Sequence, residues 1–158
     1  MKLTVEDLTE TYRLCLINGK YREKNRVDLE LIKSMVDVAE RGLLFIQEHS
    51  KKIKKESLDW TFVFRDYYEA LRTFIEAFLL FDQIEAESHQ CKNAYICFKY
   101  PQLELDWEFL ELVRLKRNAI NYRGEFLRFE DWNLLKINFN LHLGKIRTII
   151  QDQLKEYR

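Results

Sequence analysis

The stretch from Asp59 to Phe81 constrains this chain most. Trp60, Val63, Phe64, Tyr67, Leu71, Phe74, Ile75 and Phe78 recur three and four residues apart, the period of one helix face. Leu79, Leu80 and Phe81 carry apolar side chains round to other faces. A helix that is apolar on most sides has to be buried on most sides. The remaining elements must therefore surround it, which makes it the expected centre of a helical bundle. Ser57 or Asp59 supplies its start. Its aromatic stripe is read as core rather than as a platform for stacking bases.

The rest of the chain offers helices to do the surrounding. Asp28 can cap a segment in which Leu29, Ile32, Val36, Ala39, Leu43 and Ile46 alternate by three and four, a seam suited to near-antiparallel packing. Glu130 and Asp131 favour the start of a last helix carrying Trp132, Leu135, Phe139, Leu143, Ile146, Ile150 and Leu154. Thr4-Val5-Glu6-Asp7 has the form of a capping box before Leu8, Tyr12 and Leu16. Ser88 caps a short helix through Ala94, Ile96 and Phe98, which Pro101 ends. One proline and four glycines are too few for a turn-rich β protein. The expected fold is an all-α, antiparallel up-and-down bundle of four long helices with additional short ones and no sheet. It forms one domain over residues 1–158, with a short N-terminal helix at about 4–18 and a bundle core at about 28–157. Lys20 to Arg26 and Lys51 to Lys55 are expected as solvated loops.

Charge and cysteine usage narrow the function classes. Lys and Arg number 26 and Asp and Glu also 26, so any contact with nucleic acid has to rest on a local patch. Three cysteines, Cys15, Cys91 and Cys97, form no CxxC pair, and an odd count without a signal peptide points to a reducing, cytoplasmic interior. The longest wholly apolar run, Ala77 to Phe81, is far short of the ~20 residues of a membrane span. His49, His89 and His142 show no ligand spacing with one another or with the cysteines, so neither a zinc site nor a cofactor is expected.

The chemistry gathers between Asp106 and Gly124. Leu105, Phe109, Leu112, Val113, Ala119 and Ile120 form an apolar helical face, while Glu111, Arg114, Asn118 and Asn121 line a polar one, with Arg117 beside them. Gly124 ends the helix, just beyond Arg114, Arg117, Asn118, Asn121, Tyr122 and Arg123. Cations in a last turn offset its partial negative charge by roughly 0.3–1 kcal/mol each, and Arg114 can pair with Glu111. The asparagines do not fit that plain role, because Asn competes for backbone groups inside a helix. Arg114, Arg117, Asn118, Asn121, Tyr122 and Arg123 are therefore the candidate binding residues.

At this point the chain resembles the HEPN family, small helical-bundle proteins, many of them ribonucleases of toxin–antitoxin and defence systems. Their mark is Arg-x4-6-His near a helix end, often with Asn after the Arg. Arg117-Asn118 supplies the first half, and Tyr122 stands where the shortest spacing has His. Tyr68-Glu69-Ala70-Leu71 and Ser88-His89 also follow the family's order, over Asp59 to Gly124. His89 by itself reads first as a structural hydrogen-bonder and second as a site residue. The resemblance implies a homodimer in which the motifs of two subunits face each other across a cleft, RNA or a nucleotide as ligand, and a minimal nucleotidyltransferase as partner. Such a partner can adenylylate a motif tyrosine, which makes Tyr122 a candidate modification site. The departure at Tyr122 matters chemically. Metal-free RNA cleavage needs an acid and a base, for which His is suited. A tyrosine with a pKa near 10 is only about one part in a thousand ionised at neutral pH. The motif thus reads as a binding site without its main catalyst. Two other classes remain: an active metal-independent endoribonuclease toxin using Arg117 and Tyr122, and a non-catalytic helical dimer with an assembly role.

Overall fold

The computed structural model describes residues 4–157. In chain order the elements are α1 (Leu8–Ile17), β1 (Tyr21–Glu23), α2 (Leu29–Ser50), α3 (Trp60–Phe81), β2 (Ile84–Ala86), α4 (His89–Lys99), a 3-10 turn (Pro101–Leu103), α5 (Trp107–Arg123) and α6 (Phe129–Glu156). The four long helices α2, α3, α5 and α6 make the expected all-α bundle, and α3 lies at its centre. Val63, Phe64, Phe74 and Ala77 of α3 have no exposed surface. Phe64 meets Phe139 edge-on, with centroids 5.7 Å apart, and Tyr67 leans on Trp132 at 4.6 Å. Burying each such aromatic contributes roughly 1.5–3 kcal/mol, which is why the most apolar helix takes the middle. Trp60 and Phe81, at opposite ends of α3, touch Phe129 and Tyr157 at opposite ends of α6. These two helices therefore run the same way. The short connections to α2 and α5 turn those two the other way.

Most helix ends are set by side chains that the sequence displays. Asp28 accepts a hydrogen bond from the Leu31 amide, Ser88 from that of Cys91 and Asp106 from that of Phe109, each satisfying a donor the first turn leaves unpaired. Gly124 closes α5 at φ 65°, a left-handed conformation that side chains with a Cβ rarely adopt. The first helix departs from expectation. It begins at Leu8 rather than near residue 4, and its cap is Asp7, which accepts from the Glu10 amide.

Two further expectations are corrected. The charged segment after α1 is not wholly a loop: Tyr21–Glu23 pairs antiparallel with Ile84–Ala86, Tyr21 opposite Ala86. Arg22 and Lys24 both reach Glu85, at 3.1 and 2.6 Å, and the Tyr21 hydroxyl donates to the Cys91 carbonyl at 2.7 Å. Three residues are too few to show a strand period; the pairing comes from a partner more than 60 residues away. The cysteines are not all thiols either. Cys15 and Cys91 are joined by a disulfide across a separation of 76 residues, while Cys97 is free and buried. This runs against the reducing interior read from the cysteine count. No helix of the described residues is long and apolar enough to cross a membrane.

Inside the bundle, His142 of α6 is 2% exposed. Its Nδ1 donates to the Asn138 carbonyl at 2.7 Å, so its Nε2 accepts from the Asp106 amide at 3.0 Å. Burial lowers its pKa and keeps the ring neutral, as an acceptor must be. α6 thereby helps to hold the start of α5.

Candidate functional site

Glu111 of α5 was expected on a polar face, yet it is 1% exposed. Helical spacing puts it beside α4, and a buried carboxylate persists only with partners. Arg114 grips it through Nε and Nη2, both at 2.9 Å. Gln90 and Asn93 of α4 donate to its two oxygens at 3.0 Å each. The plain expectation that Arg114 pairs with Glu111 within α5 is therefore met, and the bonds from Gln90 and Asn93 to the same carboxylate fasten α5 to α4.

One turn further on, Arg117 is in a different position. Its side chain is 18% exposed and approaches Glu69 of α3 at 3.5 Å. Its Nη1 lies 3.5 Å from the Asn118 side-chain oxygen, and its guanidinium sits 5.8 Å from the centre of the Tyr68 ring. These are long contacts. Its Nε is buried, and among the described residues nothing accepts a hydrogen bond from it. The other oxygen of Glu69 accepts from Arg72 at 3.0 Å.

The third component comes from α4. His89, at the helix start, shares a 3.0 Å hydrogen bond between Nδ1 and the Tyr68 hydroxyl. Burial first, and then the nearby charges of Arg72, Lys92 and Arg117, bring the His89 pKa down to about 4. The ring is neutral at pH 7. Burial also pushes the Tyr68 phenol up to about 12, so it stays a hydrogen-bonding hydroxyl. When Nδ1 donates to that oxygen, Nε2 presents a lone pair, the form a general base requires.

Ser88, His89, Gln90, Arg114, Arg117, Asn118 and Tyr122 together line an open hollow of about 420 Å³. Of the sequence candidates, Arg114, Arg117, Asn118 and Tyr122 meet there. Asn121 and Arg123 are exposed outside it, Arg123 facing Glu125 at 3.5 Å. Tyr122 stands at the rim, 76% exposed. Ser88 and Gln90 were not among the binding candidates, and His89 was a site residue only on its second reading, because no spacing along the chain links α4 to α5. The only signal for them was the Ser88-His89 pair within the family-like order.

Chemically, the hollow can hold an anion: the weakly partnered Arg117 guanidinium, the Asn118 amide and a neutral imidazole converge on it. Two larger hollows, of about 640 and 510 Å³, lie along α6 and between α2 and α3. The first also collects Gln102, Asn140, Lys145 and Thr148, but among the described residues the buried donor without an acceptor lies on Arg117. Among the described residues no group of three or more His, Cys, Asp or Glu is placed to hold a metal ion. Comparisons with protein-family models, curated proteins and solved structures find no significant match to this chain.

Proposed function

We propose that this is a HEPN-like protein that binds RNA or a nucleotide through a phosphate seated against Arg117. The observation that carries the proposal is the buried Arg117 Nε, which has no acceptor among the described residues. A buried donor left unmade costs roughly 1–3 kcal/mol, and a phosphate in the hollow would satisfy it by drawing the guanidinium, 18% exposed, outward. Asn118 supplies an amide beside it, and Tyr122 at the rim supplies a ring for a base or sugar. The same exposure leaves the Tyr122 hydroxyl open to a nucleotidyltransferase partner. Homodimerisation belongs to the proposal and is supported by the exposed apolar stripe Leu134, Ile137 and Leu141 on α6, with Phe126. A cytoplasmic location belongs to it too, and the Cys15–Cys91 bond is the feature that location has to accommodate.

One observation favours a second reading, a metal-independent endoribonuclease. The histidine missing from position 122 is matched by His89, which reaches the same hollow from α4. The test is fluorescence anisotropy with labelled single-stranded RNA and labelled ATP. The wild type is expected to bind one of them, and Arg117→Ala to weaken that binding by roughly 1–3 kcal/mol. Unchanged affinity in Arg117→Ala would return the cluster to a charged helix end facing water. RNA cleavage lost in His89→Ala but retained in Tyr122→Phe would establish the second reading. Purification of the tagged protein from its native cell, followed by mass spectrometry, tests for the nucleotidyltransferase.

A further inference from the structure

The disulfide does more than join two distant cysteines. Cys91 lies in the first turn of α4, where its amide donates to Ser88 at 3.1 Å. Ser88, His89 and Gln90, the three residues before it, line the hollow. Cys15 lies in the last turn of α1. The N-terminal segment is laid over α4 and fastened elsewhere only by non-covalent contacts. Tyr12 stacks on Phe98 at 4.2 Å. The Glu6 side chain accepts from Gln90 at 3.4 Å, and the Glu6 carbonyl accepts from Trp107 Nε1 at 2.8 Å. Gln90 therefore touches α1's leading segment on one side and the buried Glu111 on the other.

We infer that the Cys15–Cys91 bond is a redox-operated clasp: oxidised, it holds α1 against the start of α4 and keeps Ser88, His89 and Gln90 in place around the hollow, and reduced, it lets that turn loosen. The ligand half of the inference rests on the phosphate-binding reading of the hollow; the structural half does not. The chemistry is a thiol–disulfide exchange with a dithiol. A thiolate of the dithiol attacks one sulfur, the Cys15–Cys91 bond breaks, and the dithiol ends as its own disulfide. Two electrons and two protons pass to the protein, leaving two Cys thiols. Both cysteines are buried, 5% exposed each. The exchange therefore needs α1 to lift, and when it settles back the two thiols re-form the bond by exchange with an oxidised dithiol, whose own disulfide takes up the two electrons and two protons and is left as the dithiol. α1 packs chiefly on α4, while α3 packs chiefly on α2 and α6, so opening the clasp is a local event.

The experiment measures amide hydrogen exchange by mass spectrometry on the full chain, with and without dithiothreitol, and labelled RNA binding on the same samples. Reduction is expected to speed exchange in residues 8–17 and 89–93 while α3 and α6 stay protected, and to weaken RNA binding about fivefold. Cys15→Ser should behave as the reduced protein and ignore dithiothreitol; Cys97→Ser should behave as wild type. Unchanged exchange at 89–93 on reduction overturns the inference whatever the RNA does, and so does unfolding of the whole bundle, which would make the bond a global staple. Faster exchange with unaltered RNA affinity overturns the coupling to the hollow. If neither redox state binds RNA, the phosphate-binding reading fails, and the exchange data still decide the clasp.

Discussion

Arg114 and Arg117 stand one turn apart on the same helix, and the fold treats them in opposite ways. Arg114 has a carboxylate fitted to its guanidinium fork at 2.9 Å on both nitrogens. Arg117 has no contact shorter than 3.5 Å to an acidic or amide oxygen, and its Nε has no acceptor among the described residues. Glu111, neutralised by Arg114, holds α5 to α4 through Gln90 and Asn93, while Arg117 lines the hollow without a close partner. Two arginines that look alike in sequence thus divide between holding the fold and offering a site.

The comparison can be broken at either end. The largest effect is expected from Glu111→Ala, which strips the partner from Arg114 and the acceptor from Gln90 and Asn93. Removing one member of a buried pair costs about 3–5 kcal/mol, readable as a lower urea midpoint with unchanged slope. Arg117→Ala should lower stability by at most about 1 kcal/mol, since it gives up only long contacts and one unmade bond. Its effect belongs in affinity instead, as the anisotropy measurement reads it. Similar stability losses at positions 111 and 117 would erase the distinction.

Acidity sharpens it next. His89 and His142 both have lowered pKa values in the fold, His89 at about 4 against 6.5 for a free imidazole. The unfolded chain therefore binds protons more readily below pH 6.5. The stability due to these neutral rings is fully present above about 6.5 and is lost as pH falls through their folded pKa values, for His89 towards about 4. Urea titrations at pH 7 and pH 5 should show the loss, and His89→Asn should flatten part of it. An identical slope in His89→Asn would mean that its environment does not disfavour the charge. The smallest effect is expected at Tyr122→Phe. It removes one hydroxyl from a residue 76% exposed, so RNA affinity should change by less than about 1 kcal/mol. A loss as large as that of Arg117→Ala would move the centre of the site to the rim.

How much of this was legible in the chain follows from the reach of each interaction. The long helices were, because their apolar period and end signals such as Asp28 and Gly124 are written within a few residues of each other. The ribbon of Tyr21–Glu23 with Ile84–Ala86 was not, because each strand is too short for a period and meaningful only against its partner. The Cys15–Cys91 bond escaped for the same reason. Glu111 was misplaced because helical spacing names the face but not what covers it; α4 turned a polar position into a buried one. The cluster Arg114, Arg117, Asn118 and Tyr122 was visible as a group on one helix, but the residues that make it a hollow arrive from α3 and α4.

His142 carries a consequence that reaches the far end of this helix. By accepting the Asp106 amide proton, it fixes the point from which α5 is counted out. Arg117 lies eleven residues beyond Asp106, about 16 Å along a rigid helix. A slip of one residue there would swing Arg117 by about 100° and carry its guanidinium off the hollow. The imidazole is thus a zero mark on a ruler: it never meets a ligand, yet it sets both the depth and the angle at which the arginine is presented.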